Sequence, residues 1–219
     1  NIPELLEAHF GVPMAGAVLN ALNTRLDGAL IGRLLDHAES VLVIVDREFA
    51  PLLQDALKVS DRRPYVVVVD DPESEATETD ETAIGDEFYE SFIAGGAPDF
   101  DWQRPADEWQ AITLNYTSGT TGNPKGVVYH HRGAHLNALS NALAASLTAH
   151  SVYLWTLPMF HCNGWTYTWG VTALAGTHVC LRRVEASKIF ELIAGEQVSH
   201  LAGAPVVLNM IANAPDDEK

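Results

Sequence analysis

Two wholly apolar runs, Val41-Leu42-Val43-Ile44-Val45 and Tyr65-Val66-Val67-Val68-Val69, constrain the fold more than any other feature of the chain. A strand with one wet face alternates apolar and polar residues. A run without polar residues needs cover on both faces, as in a parallel sheet. Between the runs, residues 49–57 predict a helix, with Pro51 tolerated in its first turn. Strand, helix, strand predicts a parallel pair joined by a crossover. Upstream, Asp27 is placed to cap a helix whose apolar stripe is Leu30, Ile31, Leu34, Leu35 and Ala38. Residues 16–22 are a further strand candidate.

The alternation continues. Strands are expected at 111–116, 127–129, 152–156, 177–181 and 198–202. Helices are expected near 86–94, at 133–147 and 187–195, and from Pro205 onward. No internal repeat is present. The pattern predicts an α/β chain with mostly parallel sheets flanked by helices. Three blocks result: a first α/β sheet segment over 1–70, an acidic linker or surface excursion over 71–108, and a second α/β segment over 109–219.

Composition narrows the function classes. Of 219 residues, 47% are hydrophobic, a globular content. The formal net charge of −16 argues against nucleic acid as a partner, because a phosphate backbone needs basic surface. Residues 70–108 hold 14 acidic residues against one basic residue, Arg104. Such a density reads as a solvated, solubilising segment, with a cation site or docking surface as the competing reading. No apolar run approaches the ~20 residues that cross a bilayer, and no secretory signal pattern is seen. Cys162 and Cys180 make no disulfide framework, so a reduced, cytoplasmic setting is expected.

Chemistry concentrates in Thr117-Ser118-Gly119-Thr120-Thr121-Gly122-Asn123-Pro124-Lys125-Gly126. The glycines let backbone amides approach a ligand, the hydroxyls add donors, and Lys125 supplies a compact positive charge. That set suits a polyphosphate. It is not a Walker loop, in which Gly directly precedes Lys; here Pro124 does. The competing reading is a Gly/Thr-rich hairpin turn with an exposed lysine. A second segment, Leu157-Pro158-Met159-Phe160-His161-Cys162-Asn163-Gly164-Trp165, mixes apolar surface with a few polar points, like a ligand pocket wall. On composition alone it fits a packed core helix better.

The run from Tyr116 to Gly126 resembles the phosphate-binding signature of the adenylate-forming superfamily: acyl-CoA synthetases, peptide-synthetase adenylation domains and luciferases. The segment from His161 to Trp165, the run Ala175-Gly176-Thr177-His178-Val179-Cys180-Leu181-Arg182, and Leu201-Ala202-Gly203-Ala204-Pro205 look like the acyl-CoA synthetase branch. They are most like medium-chain acyl-CoA, methylmercaptopropionyl-CoA and cinnamoyl-CoA ligases. The resemblance implies part of the large N-terminal domain of an adenylate-forming enzyme. It implies acyl-adenylate formation followed by thioesterification, with ATP, Mg²⁺ and CoA as cofactors and a fatty or aryl carboxylic acid as substrate. It assigns Thr117, Ser118, Gly119, Thr120, Thr121, Gly122 and Lys125 to the ATP phosphates. Lys125 and His161 become catalytic, and His161, Asn163, Gly164, Trp165, Gly203, Ala204 and Pro205 line the acyl and CoA pocket.

The family's downstream Tyr-Gly-x-Thr-Glu and Thr-Gly-Asp motifs do not occur, so the chain is expected to cover less than half of a member. A truncated nucleotide- or partner-binding module stays open beside the CoA ligase, as does an adenylation domain that loads a carrier protein. The acid, the metal ligands and the oligomeric state also stay open, with a homodimer among the options. His131 and His135 have metal-like spacing but no third ligand. His161 and Cys162 suggest a nucleophile pair, though sequence neighbours rarely present side chains to each other. Arg182 and Arg183 are CoA-phosphate contacts or surface arginines. Trp155, Met159 and Trp169 are core or pocket lining.

Overall fold

The computed structural model describes residues 1–74, 84–117 and 124–215. Contacts divide the chain into a small unit, Leu22–Asp101, and a large unit, Asn1–Ala21 with Trp102–Lys219. The chain opens in the large unit with α1 (Pro3–Met14).

In the small unit, Asp27 caps α2 (Gly28–His37), its carboxylate accepting the Leu30 amide. Ile31, Leu34 and Leu35 are buried, as the stripe requires. Then come β1 (Leu42–Asp46), a 3-10 turn at Arg47–Phe49, α3 (Ala50–Val59) and β2 (Tyr65–Val69). β1 and β2 pair in parallel, Leu42 opposite Tyr65 and Asp46 opposite Val69. Val66 to Val69 are buried, but within β1 only Val45 is, and Val41 is exposed. The first apolar run is therefore not a fully covered strand. The order β1-β2-β3 explains the difference, since β1 is an edge and β2 is central.

The third strand, β3 (Glu87–Phe88), comes from the acidic stretch, and α4 (Tyr89–Ala94) comes directly after it. Asp86 accepts the Val66 amide and Glu87 accepts the Tyr65 hydroxyl, so these two acids are built into the sheet. Gly32 faces α3: a Cβ there would sit 2.5 Å from the Ala56 carbonyl oxygen. Only glycine permits this approach of α2 to α3.

In the large unit, β4 (Ala111–Thr117) and β5 (Lys125–His130) pair antiparallel, with Thr117 opposite Lys125. Ser118, Gly119, Thr120, Thr121, Gly122 and Asn123 lie outside the described residues. Residues 16–22 form no named strand; an isolated bridge joins Leu19 to Thr113 and ties the N-terminal segment to this unit. Next come α5 (His131–Ala144), β6 (Val152–Leu154), the single turn α6 (Cys162–Trp165), α7 (Tyr167–Ala173), β7 (Thr177–Val179), α8 (Ala186–Gly195), β8 (His200–Leu201) and α9 (Pro205–Ala212). β6 lies between β7 and β8 and runs parallel to both. Every described strand pairing except β4 with β5 is parallel, in keeping with the expected α/β class.

Ala134, Ala138 and Ala142 form the buried stripe of α5, and their short side chains let it pack closely on α7. Trp155 and Met159 are fully buried with Tyr153, Leu147 and Val171, so both are core rather than open pocket wall. No described helix is long and apolar enough to cross a membrane.

Candidate functional site

The hairpin β4–β5 brings the ends of the phosphate-loop motif together. Thr117 and Lys125 stand opposite each other and both are exposed. A hairpin with an exposed lysine is also the competing reading, so the pairing alone does not choose between them. The far end of β5 meets the second motif. Tyr129 is set against the second motif, its hydroxyl bonded to Cys162; burial, and then that contact, push the Tyr129 hydroxyl up to about 12. The Cys162 sulfur lies 3.9 Å from His161 Nε2, so these sequence neighbours do face each other, at the outer limit for a sulfur contact. His161 is exposed. Tyr129, Gly133, Asn137 and Thr166 help to line a cleft of about 350 Å³, within the size range of small-molecule sites.

The second motif is not a packed core helix. Cys162, Asn163, Gly164, Trp165 and Thr166 all have positive φ, between 49° and 64°, and form a left-handed turn. Left-handed helical backbone costs an L-residue on the order of 1–2 kcal/mol, and only glycine visits it freely. Four of these five residues are not glycine, so the surroundings must hold them. Asn137 donates to Thr166 Oγ1 at 2.9 Å, and Asn141 donates to the Trp165 carbonyl at 2.6 Å. Thr168 Oγ1 donates to the Asn163 carbonyl.

Asn163 is the most heavily engaged. Its side chain is fully buried, and its Oδ1 accepts from Thr113 Oγ1 and from Asn115 Nδ2, each at 2.9 Å. Its Nδ2 reaches His9 Nε2 at 3.2 Å. His9 Nδ1 meets the Leu5 carbonyl at 2.7 Å. A carbonyl only accepts, so Nδ1 carries the proton and Nε2 offers its lone pair to Asn163. Burial pushes His9 down to about 4, consistent with this neutral form.

Gly164 meets the same core from the other side. A Cβ there would lie 2.3 Å from the Trp155 ring. The indole N–H of Trp155 donates to His178 Nδ1 at 2.9 Å, and His178 Nε2 lies 2.8 Å from Thr172 Oγ1. His178 therefore accepts at Nδ1 and carries its proton at Nε2. Burial lowers it to about 4 as well.

Of the predicted site residues, Thr117, Lys125, His161 and Trp165 are exposed, while Asn163 and Gly164 face the interior. Gly203, Ala204 and Pro205 lead into α9, beside the end of β6, where Thr156 Oγ1 donates to the Ala202 carbonyl. The hydrogen bonds that hold the turn come from α1, β4, α5 and α7, and the approach to α9 is not among their sources. Arg182 and Arg183 are half-buried and engaged within the protein. Among the described residues, no group of three or more His, Cys, Asp or Glu could hold a metal.

Sequence patterns do not single out His9, Thr113, Asn115, Tyr129, Asn137, Asn141 or Thr166. Two signals bear on them. Thr113 and Asn115 share one face of an expected strand, and Asn137 and Asn141 are one helical turn apart on α5.

The AMP-binding enzyme family matches residues 1–219, the whole chain. The chain is 49% identical over 229 residues to the peroxisomal acetate/butyrate–CoA ligase AAE7 of Arabidopsis thaliana, and 51% identical over 226 residues to the acetate–CoA ligase CCL3 of Humulus lupulus. All of this chain and 40% of each relative are covered, so the chain spans about 40% of the length of the curated relatives it matches. Its structure is similar to the N-terminal domain of FACL13 from Mycobacterium tuberculosis, with TM-score 0.76 and 25% identity over 96% of this chain and 49% of that one. The match spans β4, β5 and the left-handed turn alike: the chain belongs to the AMP-binding enzyme family.

Proposed function

We propose that the protein carrying this chain is an ATP-dependent carboxylate–CoA ligase for short acids. The observation that carries this reading is that one pair of strands, β4 and β5, ends in the exposed Thr117 and Lys125 and also holds, through Thr113, Asn115 and Tyr129, the turn that bears His161 and Trp165. In the first step a carboxylate oxygen bonds to the α-phosphorus of ATP and pyrophosphate leaves. In the second the CoA sulfur bonds to the acyl carbonyl carbon, its proton is lost, and AMP leaves. The first step brings an anion to a polyanion, so charge neutralisation and positioning matter most. Lys125 and the Thr117 hydroxyl fit the phosphates, with Ser118, Thr120, Thr121 and the amides of Gly119 and Gly122 completing the loop by sequence. His161 and Trp165 fit the acyl and thiol side, and Gly203, Ala204 and Pro205 the pocket beyond.

The relatives' names support acetate or butyrate over a long-chain or aryl acid. Mg²⁺ enters this proposal only with ATP, since the described residues offer no three-ligand cluster. The free thiols Cys162 and Cys180 fit the cytoplasm, and equally the peroxisome that one relative's name gives. For the isolated 219 residues, which span so little of the relatives, nucleotide binding without turnover is the second reading.

The test is carboxylate-dependent ATP–pyrophosphate exchange by the full-length protein, with acetate, butyrate, octanoate and cinnamate compared. Exchange is expected with the two short acids. Lys125→Ala is expected to slow it by on the order of 100-fold, about 3 kcal/mol of barrier, with the fold intact. A folded full-length protein that exchanges with none of the four acids overturns the reading.

A further inference from the structure

We propose that Asn163 is a positioning residue, which fixes the turn bearing His161 and Trp165 to the strand that ends at Thr117. The inference rests on the CoA-ligase reading above. It concerns a residue that is fully buried and is not among those lining the cleft.

The geometry is specific to this role. One face of β4 presents two polar side chains, Thr113 and Asn115, where a sheet core would ordinarily be apolar. Both donate to a single acceptor, Asn163 Oδ1, and Asn115 Nδ2 also donates to Thr113 Oγ1 at 3.1 Å. The amide nitrogen of Asn163 is held by His9 from α1, and the indole N–H of Trp169 on α7 donates to the His9 carbonyl at 3.0 Å. Four elements thus meet around one side chain. Asn163 itself sits in the left-handed region, at φ 53° and ψ 42°. Its two neighbours across Cys162 and Gly164 are the exposed His161 and Trp165. An asparagine is suited to this place: it tolerates left-handed backbone better than most residues, and its amide supplies acceptor and donor in one plane.

β4 is paired to β5 along its whole length, so the Thr117–Lys125 end is held without Asn163. Among the described residues, the hydrogen bonds between β4 and the turn run through Asn163. Loosening the turn should therefore spare ATP and disturb the acid. In the full-length protein, Asn163→Ala is expected to raise KM for the carboxylate and lower kcat, by about tenfold to 100-fold in kcat/KM, the scale of a small misplacement of a reacting group. KM for ATP stays within about twofold. Thr113→Val removes one donor with little change of shape, so it serves where Asn163→Ala fails to fold, and it should shift the same constants by a smaller factor in the same direction. The double variant should be little worse than Asn163→Ala alone, because both act through one bond. Normal carboxylate constants in a folded Asn163→Ala or Thr113→Val enzyme overturn the proposal, as does a parallel loss in KM for ATP. No exchange by the unsubstituted protein overturns the functional reading, and this inference with it.

Discussion

The small unit and the turn of the large unit are held by opposite means. In the small unit, Ile31, Leu35, Val45, Leu53, Ala56, Val66 and Val68 form an apolar core in relaxed backbone. Around the turn, six buried residues are polar, His9, Thr113, Asn115, Asn163, Thr166 and Thr168, and the backbone is left-handed. Apolar burial contributes roughly 1.5–3 kcal/mol per large side chain whatever its orientation. A buried polar network contributes only while every donor meets its acceptor, and a half-satisfied one costs free energy. The small unit should therefore tolerate approximate substitutions, and the turn should not.

Gly164→Ala is the sharpest way to break the turn. The methyl would occupy left-handed backbone and lie 2.3 Å from the Trp155 ring. Strain and overpacking together should cost about 4 kcal/mol. Urea unfolding monitored by tryptophan fluorescence reads this directly, since all five tryptophans, at 102, 109, 155, 165 and 169, lie in the large unit. A loss below about 1 kcal/mol would show that the turn rearranges freely, and the contrast with the small unit would fail.

Acid should separate the two regions next. His9 is lowered from 6.5 to about 4 in the folded state. As pH falls below 6.5 the unfolded chain takes up a proton that folded His9 refuses, so stability declines with falling pH and levels off near 4. For His9 the loss is about 3 kcal/mol, and half-buried His178 adds a smaller one in the same window. In the small unit Asp36, which a hydrogen bond from Ser60 holds below 3.8, acts with the same sign but in a lower pH window. Its contribution is present above that value and is lost only as pH falls further. Amide exchange at about pH 5 should therefore show protection lost around α1, β4 and α7 before β1 and β2. A His9→Gln variant, which takes up no proton, should flatten the profile of the large unit.

The same contrast explains what is legible in the sequence. The strands 65–69 and 111–116 and the helices after Asp27 and Pro205 follow from periodicity, caps and fixed proline geometry, all local. The pocket motif does not. Within 162–166 only Asn163-Gly164 favours left-handed backbone locally; at Cys162, Trp165 and Thr166 it depends on partners of the turn 24 to 154 residues away in sequence, such as Asn141 and His9. For the same reason β1 reads as covered on both faces: five apolar residues reveal a strand but not whether it lies at a sheet edge. The Gly/Thr-rich run stands out by composition, yet the register that sets Thr117 opposite Lys125 does not.

The mildest test stays within the small unit and probes whether its local signals act locally. Asp27 has extended backbone, and its carboxylate accepts the Leu30 amide at 2.8 Å, satisfying a donor that the first turn of α2 leaves free. Asp27→Ala should cost about 1 kcal/mol, the usual value of a lost cap. The loss should appear as faster amide exchange in α2, while exchange around the turn of the large unit stays unchanged. Because α2 is also held by its buried Ile31, Leu34 and Leu35, the helix should persist in the variant, with fraying confined to its first turn. Cap loss that instead unfolded α2 entirely would mean that packing in the small unit depends on close local bonding too, and the difference between the two regions would collapse.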